Sequence, residues 1–132
     1  MTHYFSREEA EALLPQISVL LRTIQEERRL LRACEADLDA LAVQAMGNGH
    51  HLQGRIARLQ KAILEHTRSL RVAFEAFQTF GCELKDPDSG LIDFLSLRNG
   101  QEIYLCWLLG EEGIAFWHDL HTGFAGRQPL DE

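Results

Sequence analysis

The stretch Leu91–Leu109, LIDFLSLRNGQEIYLCWLL, decides how the chain is read. Two apolar runs flank Asn99-Gly100, the dipeptide best suited to a two-residue hairpin turn because both turn positions need positive φ. That turn sets Asp93 opposite Cys106. Downstream, Gly110-Glu111-Glu112-Gly113 makes another turn, and Ile114–Leu120 (IAFWHDL) reads as a third strand. The expectation is a three-stranded antiparallel meander. Alternation puts Ile92, Phe94, Ile103, Leu105, Trp107, Leu109, Ile114, Phe116, His118 and Leu120 on the face that lies against helices. Asp93, Glu102, Tyr104, Cys106, Trp117 and Asp119 fall on the other face, with Tyr104 near Asp119. His118 is then buried between the layers, where it needs a partner.

Upstream, the composition changes at Gly81–Gly90 (GCELKDPDSG), where Gly81 ends a helix and Asp86-Pro87-Asp88-Ser89-Gly90 is turn chemistry. Before it lie two helical seams. Ser6 and Glu9 form a capping box. Leu13, Ile17, Leu20, Ile24, Leu31, Cys34, Leu38, Leu41 and Ala45 then recur at spacings of three and four, interrupted at Glu27. Pro15 inside this pattern predicts a kink or a short separate first helix. Met46–His51 (MGNGHH), with Gly47, Asn48 and Gly49, is a helix stop and reversal. A second seam follows at Leu52, Ile56, Leu59, Ile63, Leu70, Ala73, Phe77 and Phe80, interrupted at His66. Setting Ala45 against Leu52 places Glu27 and His66 within about a turn of each other. The pair is either a polar pin for the register of the hairpin or, with Cys34, a set of metal ligands or a proton-transfer couple.

The organisation expected is a single α+β domain over residues 1–132. A long antiparallel helical hairpin (1–80), coiled-coil in pattern, precedes a small meander with a glycine-rich C-terminal loop (81–132). With 45% hydrophobic residues the chain is a soluble globular protein, and no apolar run nears the roughly 20 residues of a bilayer span. The start carries no secretion pattern, and Cys34, Cys82 and Cys106 are an odd count without close pairs; both fit a reducing cytoplasm. Residues 1–80 hold ten acidic and ten basic side chains, whereas 81–132 hold ten acidic and three basic ones, the source of the net charge of −7. Such a segment repels phosphate backbones, and the basic residues of 1–80 are interspersed with acidic ones as solvated faces, so nucleic acid is not expected as partner, nor, without an apolar span, is a membrane.

The blocks YFSREEAEALLP, GCELKD, GLIDF, YLCW, GE and WHDLHTGFAGRQPL, in that order along nearly the whole chain, resemble the prokaryotic family called domain of unknown function 2203. The resemblance implies a bacterial, soluble, stand-alone protein and brings no established activity, substrate or catalytic residue. Its family-like positions include Glu83, Asp86, Asp93, Trp107, His118, Asp119, Gly123, Gly126 and Arg127.

Three kinds of chemistry compete at the C-terminal end. A divalent metal is the one cofactor the residues suggest, with His118, Asp119, Glu27 and His66 as candidate ligands, Asp93, Glu83, Asp86 and Cys82 able to complete a shell from neighbouring loops, and His121 joining His118 only if the strand turns after Leu120. A small anion is the second, held by Arg127 and the backbone of Gly123 and Gly126, at the junction around His118 and Asp119. The bland alternative pairs Arg127 with Glu83, Asp86 or Asp119 as a fastening for the tail. Catalysis is the third. His118 and Asp119 diverge along one strand, and the register places Cys106 and His118 on opposite faces, so no nucleophile and base assemble. The leading expectation is a non-enzymatic module that self-associates or binds a protein partner. The alternative is a metal- or anion-binding protein centred on His118, Asp119 and Arg127, and the third is an enzyme at the same junction.

Overall fold

The computed structural model describes residues 2–48 and 50–130. The capping box forms: the Glu9 N–H donates to Ser6 Oγ at 3.0 Å, and the Ser6 N–H donates to Glu9 Oε1 at 3.3 Å. Helix α1 then runs from Arg7 to Asn48, and α2 from Gln53 to Gln78, with a single 3-10 turn at His50–Leu52 before it. Gly47 and Asn48 close α1, while Gly49, the second glycine of the expected reversal, lies outside the described residues. A separate first helix at Pro15 is corrected, because α1 continues through it. The missing N–H and the ring clash cost about 3 kcal/mol in a helix interior. Leu14 and Ile17, buried on either side of Pro15, oppose that cost.

The chain divides into two compact units, Thr23–Glu75 and the remainder, Met1–Arg22 with Ala76–Glu132. Thr23–Glu75 is an antiparallel pair of helical segments. Ile24, Leu41, Leu52 and Ala73 are buried in it, but Leu31, Leu38, Ile56, Leu59, Ile63 and Leu70 are only half covered. Two helices alone leave one side of each seam open. Glu27 Oε2 lies 2.9 Å from His66 Nδ1, so the two polar interruptions meet directly.

The other unit is built on an antiparallel sheet of five strands in sequence order: β1 (Glu83–Asp86), β2 (Leu91–Arg98), β3 (Gln101–Leu108), β4 (Phe116–Asp119) and β5 (Gln128–Pro129). The meander read from the sequence is its centre. The two edge strands were legible only as turn and loop, being too short and too polar to show alternation. Asn99 (φ 53°) and Gly100 (φ 78°) make the hairpin turn as expected. Between β1 and β2, Asp86 closes the turn by accepting from the Asp88 N–H at 3.1 Å and the Ser89 hydroxyl at 2.7 Å.

The β2–β3 register is the predicted one, with Asp93 opposite Cys106. The β3–β4 register is not. Tyr104 faces His118 and Cys106 faces Phe116, while Asp119 faces Ile103. That is a slip of one residue, and it exchanges the two faces of β4. The physical reason lies in the preceding turn. The Ile114 N–H donates to Glu11 Oε2 at 2.8 Å instead of joining the ladder, and the Ile114 side chain is buried. The Leu108 N–H donates to Glu111 Oε1 at 2.9 Å, and Trp107 Nε1 to the Glu111 carbonyl at 3.0 Å. Strand β4 therefore begins at Phe116 rather than Ile114.

Ile92, Phe94, Ile103, Leu105 and Trp107 make the inner face, which packs on the start of α1. The Phe5 and Phe94 rings meet edge-on with centroids 5.2 Å apart, and Ala10, Leu14, Ile17, Leu21 and Phe77 fill the rest of this core. Trp117 shares the inner side of the sheet, whereas Phe116 and His118 lie on the outer face with Asp93 and Cys106, the reverse of the expected assignment.

Gly90 holds φ +79°, and a Cβ there would stand 2.6 Å from Leu109 Cβ. Gly90→Ala is expected to destabilise the protein by about 2–3 kcal/mol, combining left-handed strain with a backbone shift at β3. The midpoint of urea unfolding measures it.

Candidate metal centre

The outer face of the sheet is where chemistry gathers. Asp93 comes from β2, Cys106 from β3 and His118 from β4, three neighbouring strands. Their ligating atoms all lie within 4.8 Å of one another. Among the described residues this is the one group of three or more His, Cys, Asp or Glu side chains that converges so closely. The side chains of Asp93 and His118 are each 3% exposed, and Cys106 is fully buried.

The hydrogen bonds specify the protons. His118 Nδ1 lies 2.6 Å from the Asp119 carbonyl oxygen. A carbonyl can only accept, so Nδ1 carries its hydrogen. Nε2 lies 3.0 Å from both Asp93 oxygens. One proton is therefore shared between Nε2 and the Asp93 carboxyl. The carboxyl is also a hydrogen-bond partner of the Cys106 thiol. Burial pushes that thiol up to about 12, with the Asp93 charge acting in the same direction and the Arg127 charge against it. Cys106 is thus a thiol at neutral pH.

This arrangement corrects the expectation that Cys106 and His118 point to opposite faces. It does not make them a nucleophile and base. One imidazole nitrogen faces a carbonyl and the other a carboxyl, which leaves neither to take the thiol proton. What the arrangement offers is a mixed oxygen, sulfur and nitrogen donor set. Its histidine is held by a backbone carbonyl at the far nitrogen, the usual support of a metal-bound imidazole. An ion there would displace the shared proton and the thiol proton.

The other candidate residues occupy distinct places. Asp119 contributes its carbonyl to His118, but its carboxylate turns away to accept from the backbone N–H groups of His121 (2.8 Å) and Thr122 (2.9 Å). The bond from His121 is the first cause holding it below the ordinary carboxylate range. His121 itself is exposed and stands outside the cluster. Glu83 accepts from the Tyr104 hydroxyl at 2.7 Å and pairs with Lys85 at 2.9 Å. Burial raises its carboxyl, and those two partners outweigh the burial and hold it low. Asp86 serves the β1–β2 turn. Glu27 and His66 pair within the helical unit, and no third ligand joins them in a converging group among the described residues.

Arg127 fastens the tail, but to Glu111 rather than to Glu83, Asp86 or Asp119. Its Nη2 lies 2.8 and 3.0 Å from the two Glu111 oxygens. The guanidinium carbon sits 3.9 Å from the Phe116 ring centroid and 4.6 Å from that of Phe124. Gly123 takes φ +64° to enter the 3-10 turn Phe124–Gly126, and the Gly126 N–H donates to the Gly123 carbonyl at 3.0 Å. That N–H serves the turn rather than a bound anion. Sequence reading did not single out Glu111 as a partner, although its place in the β3–β4 turn, next to Trp107 and Leu108, was visible.

A helical pair and a small antiparallel sheet carrying one buried Asp–Cys–His cluster define an α+β protein in which no described helix is long and apolar enough to cross a membrane. Residues 3–130 match the model of the family described as Uncharacterized conserved protein (DUF2203), and the chain belongs to that family. No curated protein and no solved structure matches it.

The raised thiols have a consequence for alkaline stability. Cys82 and Cys106, ordinarily near 9, are both pushed to about 12 by burial. Between those values the folded chain keeps protons that the unfolded chain loses. The stability they confer is complete below about 9 and falls as pH rises through about 12. Unfolding free energy measured at intervals across that window is expected to decline, and Cys106→Ser is expected to make the decline shallower.

Proposed function

We propose that this protein binds one divalent transition metal of the zinc type through Asp93, Cys106 and His118. The observation that carries the reading is the convergence of three different donor atoms within 4.8 Å on three adjacent strands. Strands hold ligands more rigidly than loops, which suits a site of defined geometry. A nitrogen, a sulfur and an oxygen donor together favour zinc, cobalt(II) or iron(II) over magnesium and calcium, which take oxygen ligands. Three protein ligands also leave room for a fourth from outside, the pattern of an exchangeable site rather than of a closed structural one. Asp119 is a supporting residue in this reading, acting through its carbonyl on His118 Nδ1.

Elemental analysis of the purified protein, followed by dialysis against a chelator and reloading with zinc or cobalt, tests it. One ion per chain is expected. His118→Ala and Cys106→Ser should each weaken retention by a hundredfold or more while the helix signal stays intact. Protein that remains metal-free after reloading overturns the reading.

A second reading concerns the helical unit. Its seam leucines and isoleucines are half covered, and Val43, Met46, Leu64 and Val72 are more than half exposed. A long amphipathic pair in that condition suits self-association or a protein partner. Sedimentation at several concentrations is expected to show a concentration-dependent dimer, and a strict monomer at every concentration overturns it.

A further inference from the structure

An ion bound at Asp93, Cys106 and His118 has to reach a place that water hardly touches. Asp93 and Cys106 belong to β2 and β3, which pair along eight residues each, so an opening there would break the centre of the sheet. His118 belongs to β4, whose outer edge is covered only by β5. That cover is slight: Phe116 faces Pro129, Trp117 faces Gln128, and the Leu130 N–H donates to the Ala115 carbonyl at 2.8 Å. Arg127, paired with Glu111 and stacked on Phe116, is a further hold on the tail, and the 3-10 turn Phe124–Gly126 also touches β4.

Two features of that hold bear on opening. The Arg127 side chain is only 9% exposed, and its Nε is removed from water with no acceptor. A buried donor without a partner is a penalty carried by the closed form alone, since the same N–H is hydrated when the tail lifts. Next, Phe124 forms one wall of a cavity of about 300 Å³ whose other lining residues are Asp86, Ser89, Leu91 and Leu108. Leu91 and Leu108 face each other across β2 and β3. On the same side of these strands, two residues further along, stand Asp93 and Cys106. The cavity thus adjoins the cluster, and the tail supplies part of its enclosure.

We propose that residues 123–130 form a strap that gates the cluster, with the Arg127–Glu111 pair as its latch and the cavity beneath Phe124 as the way in. Its purpose rests on the metal-binding reading. The strap swings from the turn that Asp119 caps, so His118 keeps its backbone partner while the edge beyond it clears. Central-strand pairing is untouched. Divalent ions enter and leave through an opening that breaks one ion pair, the Arg127–Phe116 ring contact, the touch of Phe124–Gly126 on β4 and a two-residue ladder.

The test reads access to Cys106 in metal-free protein, so that its outcome is separate from whether an ion binds. N-Ethylmaleimide is added at constant pH, and mass spectrometry of peptides follows Cys106 apart from Cys34 and Cys82. Glu111→Gln weakens the latch and keeps an acceptor for the Leu108 N–H, but the Glu111 charge also raises the Cys106 thiol, so its faster labelling counts as opening only where the charge-neutral Phe124→Ala labels faster too. Phe124→Ala removes an exposed ring. Both are expected to speed labelling of Cys106, Glu111→Gln by about tenfold, the scale of one charge-assisted hydrogen bond, with unfolding midpoints close to wild type. Tyr104→Phe, at the β1 side of the cluster, should leave the rate unchanged. Labelling of Cys106 in Phe124→Ala equal to that in wild type overturns the proposal. So does acceleration by Tyr104→Phe alone, which would put the entrance at the β1 edge. If zinc fails to bind while the strap variants still accelerate labelling, the gate stands and the metal reading falls.

Discussion

The constraint on which the sheet depends is the carboxyl of Asp93. It sits on a central strand and is almost wholly removed from water, where an ionised group without partners is far too costly to bury. Its neighbours answer that cost from the β3 side: the Cys106 thiol from the paired strand and His118 Nε2 from one strand further, at 3.0 Å. The imidazole is in turn held by the Asp119 carbonyl. Shifting β4 by one residue would carry His118 to the other face and leave Asp93 half satisfied. The polar cluster therefore favours the observed register of β4, which the apolar alternation of IAFWHDL argues against.

The same dependence explains why the tail packs as it does. Phe116, opposite Cys106, is a ring beside a polar cluster, and Arg127 covers it while pairing with Glu111. Glu111 also receives the Leu108 N–H, and its carbonyl receives Trp107 Nε1. One turn residue thus joins the inner core, the β3–β4 connection and the tail. In the helical unit, the Glu27–His66 pair has a more local role. It sits half buried where leucines would otherwise face, and a hairpin displaced by one heptad would set each of them against an apolar side chain.

Much of this was legible in the sequence because the signals are local. Ser6 and Glu9, Asn99-Gly100, Asp86 to Gly90 and the two seams each express a rule acting within a few residues, and each formed, although at the start of α1 it is Leu14 and Leu21 rather than Leu13 and Leu20 that are fully buried. Asp93 opposite Cys106 followed from the tight turn alone. The β4 register was not legible, because it depends on Glu11, a residue 103 positions away from Ile114, drawing that backbone N–H out of the ladder. Alternation in IAFWHDL cannot reveal such a contact. That single slip concealed the meeting of His118 with Cys106 and Asp93. The edge strands were hidden for a different reason: ELKD and QP carry no apolar rhythm, and only the neighbouring strand makes them extended.

The edges of the sheet have a bearing on how copies of this chain can meet. Strand β1 is four residues long, charged at Glu83, Lys85 and Asp86, and its pairing is irregular between Leu84 and Asp86. Strand β5 is two residues long and ends in Pro129, which has no N–H to offer. Neither margin presents the regular row of donors and acceptors that a further strand needs. Lateral growth of the sheet into fibrils is thereby discouraged at both ends, even in a protein whose other unit leaves apolar side chains open to water.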